Sequence, residues 1–210
     1  MRGGALCTVG DGADVSKRDA GGRQARCDPR EDGWVRAAKA GSREAFDALV
    51  ELHGPSVLRY LEGMCGRGGE GEDLAQETLL QAFRRIGTFA TGTDFRAWLL
   101  TIAYHTWVHS ARKKKPVVGV LQEGLAEIPA PDPPASGTDL EAAVRLVLGT
   151  LPEDQRTVVL LRFGEGLSHA EIASLTGAQA STVRWRLFRA RQVLQKALKA
   201  WRPALEERET

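Results

Sequence analysis

Three cysteines in 210 residues, Cys7, Cys27 and Cys65, with no CxxC pair among them, are too few and too scattered for a disulfide framework or a thiolate metal site. A reduced, cytoplasmic setting is expected. The N-terminal residues lack the continuous apolar core of a signal peptide, and no apolar run approaches the roughly 20 residues of a membrane span, so no membrane insertion is expected. Also missing are a GxxxxGK phosphate loop, a GxGxxG fingerprint, HExxH and GxSxG. Acids are spread along the chain rather than gathered with a base. Catalysis, a bound cofactor and a metal centre are therefore not expected. His105 and His109 stand four apart, but no third ligand follows them.

The most informative absence is local. Between Ile172 and Leu205 there is not one acidic residue, although the whole chain carries a net charge of only +2. Into this stretch falls SHAEIASLTGAQASTVRWRLFRAR, residues 168–191. Ser168 with Glu171 is the pattern of a capping box, and Gly177 marks a tight turn. Ile172, Leu175, Val183 and Leu187 fall where two short helices would share an apolar seam. The second helix carries Arg184, Arg186, Arg189 and Arg191. A short helix, a glycine turn and a basic second helix are the parts of a helix-turn-helix that enters the DNA major groove. A plain helical hairpin would give the same seam; the one-signed charge favours nucleic acid.

Organisation follows from composition. Residues 1–33 are rich in Gly, Asp and Arg and poor in large apolar side chains, which predicts a disordered arm. Helical periodicity begins at Trp34, breaks at Gly41-Ser42 with Ser42 as a helix cap, and is interrupted or bent at His53-Gly54-Pro55. The stretch EDLAQETLLQAFRRI has acids in its first turn and arginines in its last, as the helix dipole favours. Its apolar stripe reads Leu74, Leu79, Ala82, Phe83 and Ile86. Asp73, Gln76 and Glu77 lie beside that stripe and suggest a protein-docking face. In FRAWLLTIAYHTWVHSARKKK, one face gathers Phe95, Trp98, Leu99, Ile102 and Thr106 as core. Tyr104, Trp107 and Val108 point elsewhere and run into Arg112 and Lys113–Lys115. That combination suits base stacking, and packing of Trp107 on a neighbouring helix fits it equally. Five of the nine prolines fall between Pro116 and Pro134, so residues 116–138 read as a flexible linker. Residues 139–202 follow as a four-helix unit. Its first helix ends near Gly149, with Leu140, Val144 and Val147 on one side, and its second has Val158, Val159, Leu161 and Phe163 as core; residues 203–210 form a tail. The expected fold is all-α: two small helical domains, 34–115 and 139–202, with the helix-turn-helix in the second.

Taken together these stretches resemble the extracytoplasmic-function class of bacterial RNA polymerase sigma factors over about residues 34–200. EDLAQETLLQAFRRI is similar to the family's polymerase-docking helix, FRAWLLTIA to its promoter-melting helix, and LPEDQRTVVLLRFGEGLSHAEIASLTG with STVRWRLFRARQVL to its promoter-reading domain. The resemblance implies that Asp73, Gln76 and Glu77 contact the core polymerase. It implies that Tyr104, His105, Trp107, Arg112 and Lys113 hold the melted minus-10 strand, and that Thr182, Arg184, Trp185, Arg186, Arg189 and Arg191 meet the minus-35 duplex. Promoter DNA, core RNA polymerase and an anti-sigma factor are the implied partners. The chain departs from the family pattern at Ala103-Tyr104-His105, at His109, at Gln179-Ala180-Ser181 and at Trp185, where a small residue is usual. A stand-alone helix-turn-helix regulator, and a mimic that only sequesters an anti-sigma factor, are the alternative readings.

Overall fold

The structure, a computed structural model, describes residues 29–66, 69–114 and 140–206. All regular structure among these residues is helical: α1 (Pro29–Lys39), α2 (Arg43–Cys65), α3 (Glu70–Arg85), α4 (Phe95–Lys114), α5 (Leu140–Thr150), α6 (Glu153–Val159), α7 (His169–Thr176) and α8 (Ala180–Glu206). A short 3-10 turn (Ile86–Thr88) follows α3 and a π-type turn (Leu160–Gly164) follows α6. The expected linker lies outside the described residues.

Helix formation begins at Pro29, inside the arm expected to run to residue 33. The reason is local: proline suits the first helical position and Glu31 and Asp32 occupy the first turn. Glu31 is also held from outside the helix, its Oε1 lying 3.1 Å from His53 Nε2 on α2. Ser42 caps α2 as expected, its hydroxyl accepting from the Ala45 amide. Pro55 falls inside α2, which continues through it to Cys65.

The first four helices pack as a bundle in which α2 is the centre, touching α1, α3 and α4. The buried side of α3 is made of small residues, Gly71, Ala75, Thr78 and Ala82, so α3 approaches α2 closely. A Cβ on Gly71 would sit 3.0 Å from the backbone of Glu62. This closeness displaces Phe83 from the core where the stripe had placed it. Phe83 rests edge-on against Phe46, ring centres 5.1 Å apart, and stays half exposed.

The second half does not stand apart from the first. Val158, Leu161, Leu167, Ile172, Leu175 and Val183 belong to the same continuous buried cluster as Leu49, Leu61, Phe95 and Leu99. Leu160 lies so close to Gly63 that a Cβ there would be 2.8 Å from its methyl groups. The π-type turn explains another departure. Its i+5 bond from the Glu165 amide to the Leu160 carbonyl widens the helix by one residue, keeping Leu161 inside and turning Phe163 out to 75% exposure. Val144 is likewise exposed, while Val147 and Leu148 on the other side of α5 are buried against α8 and α6.

A candidate nucleic-acid interface and a docking face

Three surfaces carry the residues singled out in the sequence. On α3, Asp73, Gln76 and Glu77 are all exposed. Steps of 100° per residue align Asp73 and Glu77 with Leu80 and Arg84, and both of these are exposed too. The face is thus a mixed one, two acids and a glutamine around a leucine that is 53% exposed. Leu80 is not singled out in the sequence, and Arg84 figures there only as a last-turn cation, although wheel arithmetic from Asp73 places both on this face. Glu77 holds Gln81 through a 2.9 Å hydrogen bond.

On α4, Phe95, Leu99, Ile102 and Thr106 are buried and Trp98 half-buried, as expected of a core face. Thr106 returns its hydroxyl to the Ile102 carbonyl at 3.0 Å. Tyr104 and Trp107 are half-buried and pack against the common core, so neither ring is a free stacking platform in this arrangement. His105, His109, Arg112 and Lys113 are exposed. Between α3 and α4 lies an open cleft of about 450 Å³ lined by Glu77, Gln81, Arg84, Arg85, His105, Thr106 and His109. No three metal-binding side chains gather among the described residues.

The helix-turn-helix forms as its sequence dictates. The Ser168 hydroxyl accepts from the Glu171 amide at 3.2 Å, and the Glu171 carboxylate accepts from the Ser168 amide at 2.6 Å. α7 ends at Gly177, whose φ of 68° is in the left-handed region that glycine adopts without strain. Ile172, Leu175 and Val183 are buried and Leu187 half-buried along the seam with α8. Arg184, Arg186, Arg189 and Arg191 of α8 separate. Arg184 and Arg191 are exposed, Arg189 is half-buried and bonds Gln192 at 2.9 Å. Arg186 turns back to α6, its Nε 2.8 Å from Asp154 Oδ2, an ion pair by distance without the alignment of a hydrogen bond. Thr182 is half-buried, while Trp185 and Phe188 are 50% and 59% exposed.

Two further contacts join the halves. Glu165, whose side chain is 2% exposed, meets the Arg59 guanidinium of α2 at 3.3 and 3.4 Å. Arg156 donates to the carbonyls of Leu148, Gly149, Leu151 and Met64 at 2.7–3.2 Å. The Arg59–Glu165 and Arg156–Met64 contacts have no sequence signature, since each pairs residues far apart in the chain.

A capped helix-turn-helix with outward cations, joined to a bundle that presents a mixed exposed face beside a basic helix end, is the architecture of a helical DNA-binding protein. Residues 49–117 match the family description Sigma-70 region 2, and residues 141–194 match Sigma-70, region 4. The RNA polymerase sigma-H factor of Pseudomonas aeruginosa is 32% identical over 185 residues, covering 82% of this chain and 94% of that one. The ECF RNA polymerase sigma factor SigW of Bacillus subtilis is 29% identical over 79% of this chain and 95% of its own. Among solved structures, the sigma factor RpoE in complex with the anti-sigma factor NepR from Bartonella quintana shares the fold, with a TM-score of 0.58 and 24% identity over 73% of this chain and 96% of that one. The chain belongs to the sigma-70 family of RNA polymerase sigma factors, in its extracytoplasmic-function class.

Proposed function

We propose that this protein is a sigma factor that binds core RNA polymerase, directs it to promoters and helps open the DNA, with no reaction chemistry of its own. The observation that carries the assignment is the pairing, in one chain, of the exposed Asp73–Gln76–Glu77 face with two separate basic surfaces, the end of α4 and the first turns of α8. A stand-alone DNA-binding regulator has no use for the first, and a mimic confined to protein binding has no use for the last.

In this reading α3 docks on the polymerase, Asp73 and Glu77 supplying charge and Leu80 the apolar contact. α4 holds the melted strand, with Arg112 and Lys113 on phosphates and the exposed His105 toward the bases, while Tyr104 and Trp107 brace the helix from the core side. The first turns of α8 enter the major groove of the upstream duplex, with Thr182, Arg184, Trp185, Arg189 and Arg191 toward the DNA and Arg186 steadying the helix. An anti-sigma factor is the second protein partner; the complex formed by the related fold of RpoE with NepR supports it. The site of action is the cytoplasm, where the polymerase works. Among the described residues no helix is long and apolar enough to cross a membrane.

Run-off transcription with purified core polymerase on genomic fragments tests the assignment. The wild-type protein yields defined transcripts, and Asp73→Arg with Glu77→Arg removes them and the polymerase binding together while melting as the wild type does. Tight duplex binding without polymerase binding would overturn the proposal.

A further inference from the structure

The outward face of α8 has an order that the arginine run conceals. At 100° per residue, Ser181, Trp185, Phe188 and Gln192 form its central row. Arg184 and Arg191 flank that row on one side, and Thr182 and Arg189 on the other. Burial agrees with the geometry: the four central residues are exposed, while Val183 and Ala190 are buried on the opposite face. The middle of the row is therefore apolar, with Trp185 and Phe188 one turn apart and about half exposed. From Ile172 to Leu205 no acid offsets the flanking cations, so the face complements phosphate.

An α-helix lying in the major groove turns its central row to the base edges and its flanks to the two phosphate backbones. Phenylalanine can form no hydrogen bond with a base edge, and tryptophan offers a single N–H donor and no acceptor. The apolar feature that the major groove presents is the thymine C5-methyl group. We infer that Trp185 and Phe188 select thymine in the upstream promoter element by packing against its methyl group. Arg184, Arg189 and Arg191 then serve mainly to fix register on the phosphates. The two aromatic residues are three positions apart, about 4.5 Å along the helix axis. Base pairs are spaced about 3.4 Å apart, so the selected thymines fall on neighbouring pairs. This inference rests on the proposed role of α8 as the duplex-reading helix.

The test alters the DNA rather than the protein. Promoter fragments recovered by run-off transcription are remade with deoxyuridine in place of each upstream thymine in turn, which removes one methyl group and nothing else. Binding is measured with the polymerase-bound protein. Each methyl lost beneath Trp185 or Phe188 weakens binding about fourfold, the value of roughly one buried carbon. Losing both weakens it about fifteenfold, the product of the two. With Trp185→Ala the thymine and uracil versions bind alike at one position, and with Phe188→Ala at its neighbour; Trp185→Phe restores part of the discrimination. Equal binding of thymine and uracil forms by the wild-type protein overturns the inference and leaves the aromatic pair as a protein-docking surface. Absence of any polymerase-dependent promoter binding is a different result, and overturns the functional assignment itself.

Discussion

Arg156 donates to the Met64 carbonyl at 2.9 Å, across 92 residues of chain. The same guanidinium closes the end of α5 through the carbonyls of Leu148, Gly149 and Leu151. Helix C-termini leave carbonyls without partners and carry a partial negative charge, so one cation ties two helix ends together. Arg156→Ala is expected to cost about 2 kcal/mol, as the loss of hydrogen bonds from a charged donor does. It should also loosen the joint between the halves, seen as a larger radius of gyration in X-ray scattering. Lost stability with unchanged dimensions would confine Arg156 to α5.

Ser168 supports the helix-turn-helix from its first residue. Ser168→Ala removes the cap and should lower stability by about 1 kcal/mol, whereas Ser168→Thr keeps most of it. Thermal unfolding of both variants checks this, since Glu171 alone leaves the reciprocal bond incomplete.

Arg184 and Arg186 look equivalent in sequence and are not in space. Arg184→Ala should reduce the slope of log affinity against log salt by about one, the loss of one phosphate contact. Arg186→Ala should leave that slope unchanged and lower stability by no more than about 0.5 kcal/mol, because its pairing with Asp154 is partly exposed to solvent. Duplex titrations of the polymerase complex at several salt concentrations separate the two.

Tyr60 is 1% exposed, its hydroxyl beside Thr157 without a well-formed hydrogen bond. Burial raises the pKa of its phenol above the ordinary value. A raised folded-state value means that the stabilising difference is present below the ordinary tyrosine range and is lost as pH rises through it, because the unfolded chain ionises first. The protein should therefore weaken above about pH 10, and Tyr60→Phe should reduce that alkaline loss while remaining folded at neutral pH. Urea midpoints at pH 8 and 10.5 for both proteins provide the check.

The elements of the fold were legible where the signal was local. Ser42, Ser168 with Glu171, and Gly177 mark their helix ends because caps depend on side chains within a turn. The core face of α4 was legible through its periodicity. Phe163 was not, since a π-type turn shifts the register by a residue without a sequence mark. Phe83 was misplaced because the small residues Gly71, Ala75, Thr78 and Ala82, rather than the large apolar stripe, form the buried side of α3. Of the candidate interface, the exposed set on α3 followed from spacing, and the turning of Arg186 toward Asp154 did not. The joint was invisible for the same reason: Arg59 with Glu165, and Arg156 with Met64, are pairs made only by folding.

That joint connects two units that remain one covalent chain through residues 115–139. Parting them is therefore a unimolecular event, and their local concentration is set by the tether rather than by the amount of protein. Diluting the protein leaves the balance between joined and parted forms unchanged. A ligand that covers one of the two joined surfaces shifts it, and by no more than its own preference for the parted form.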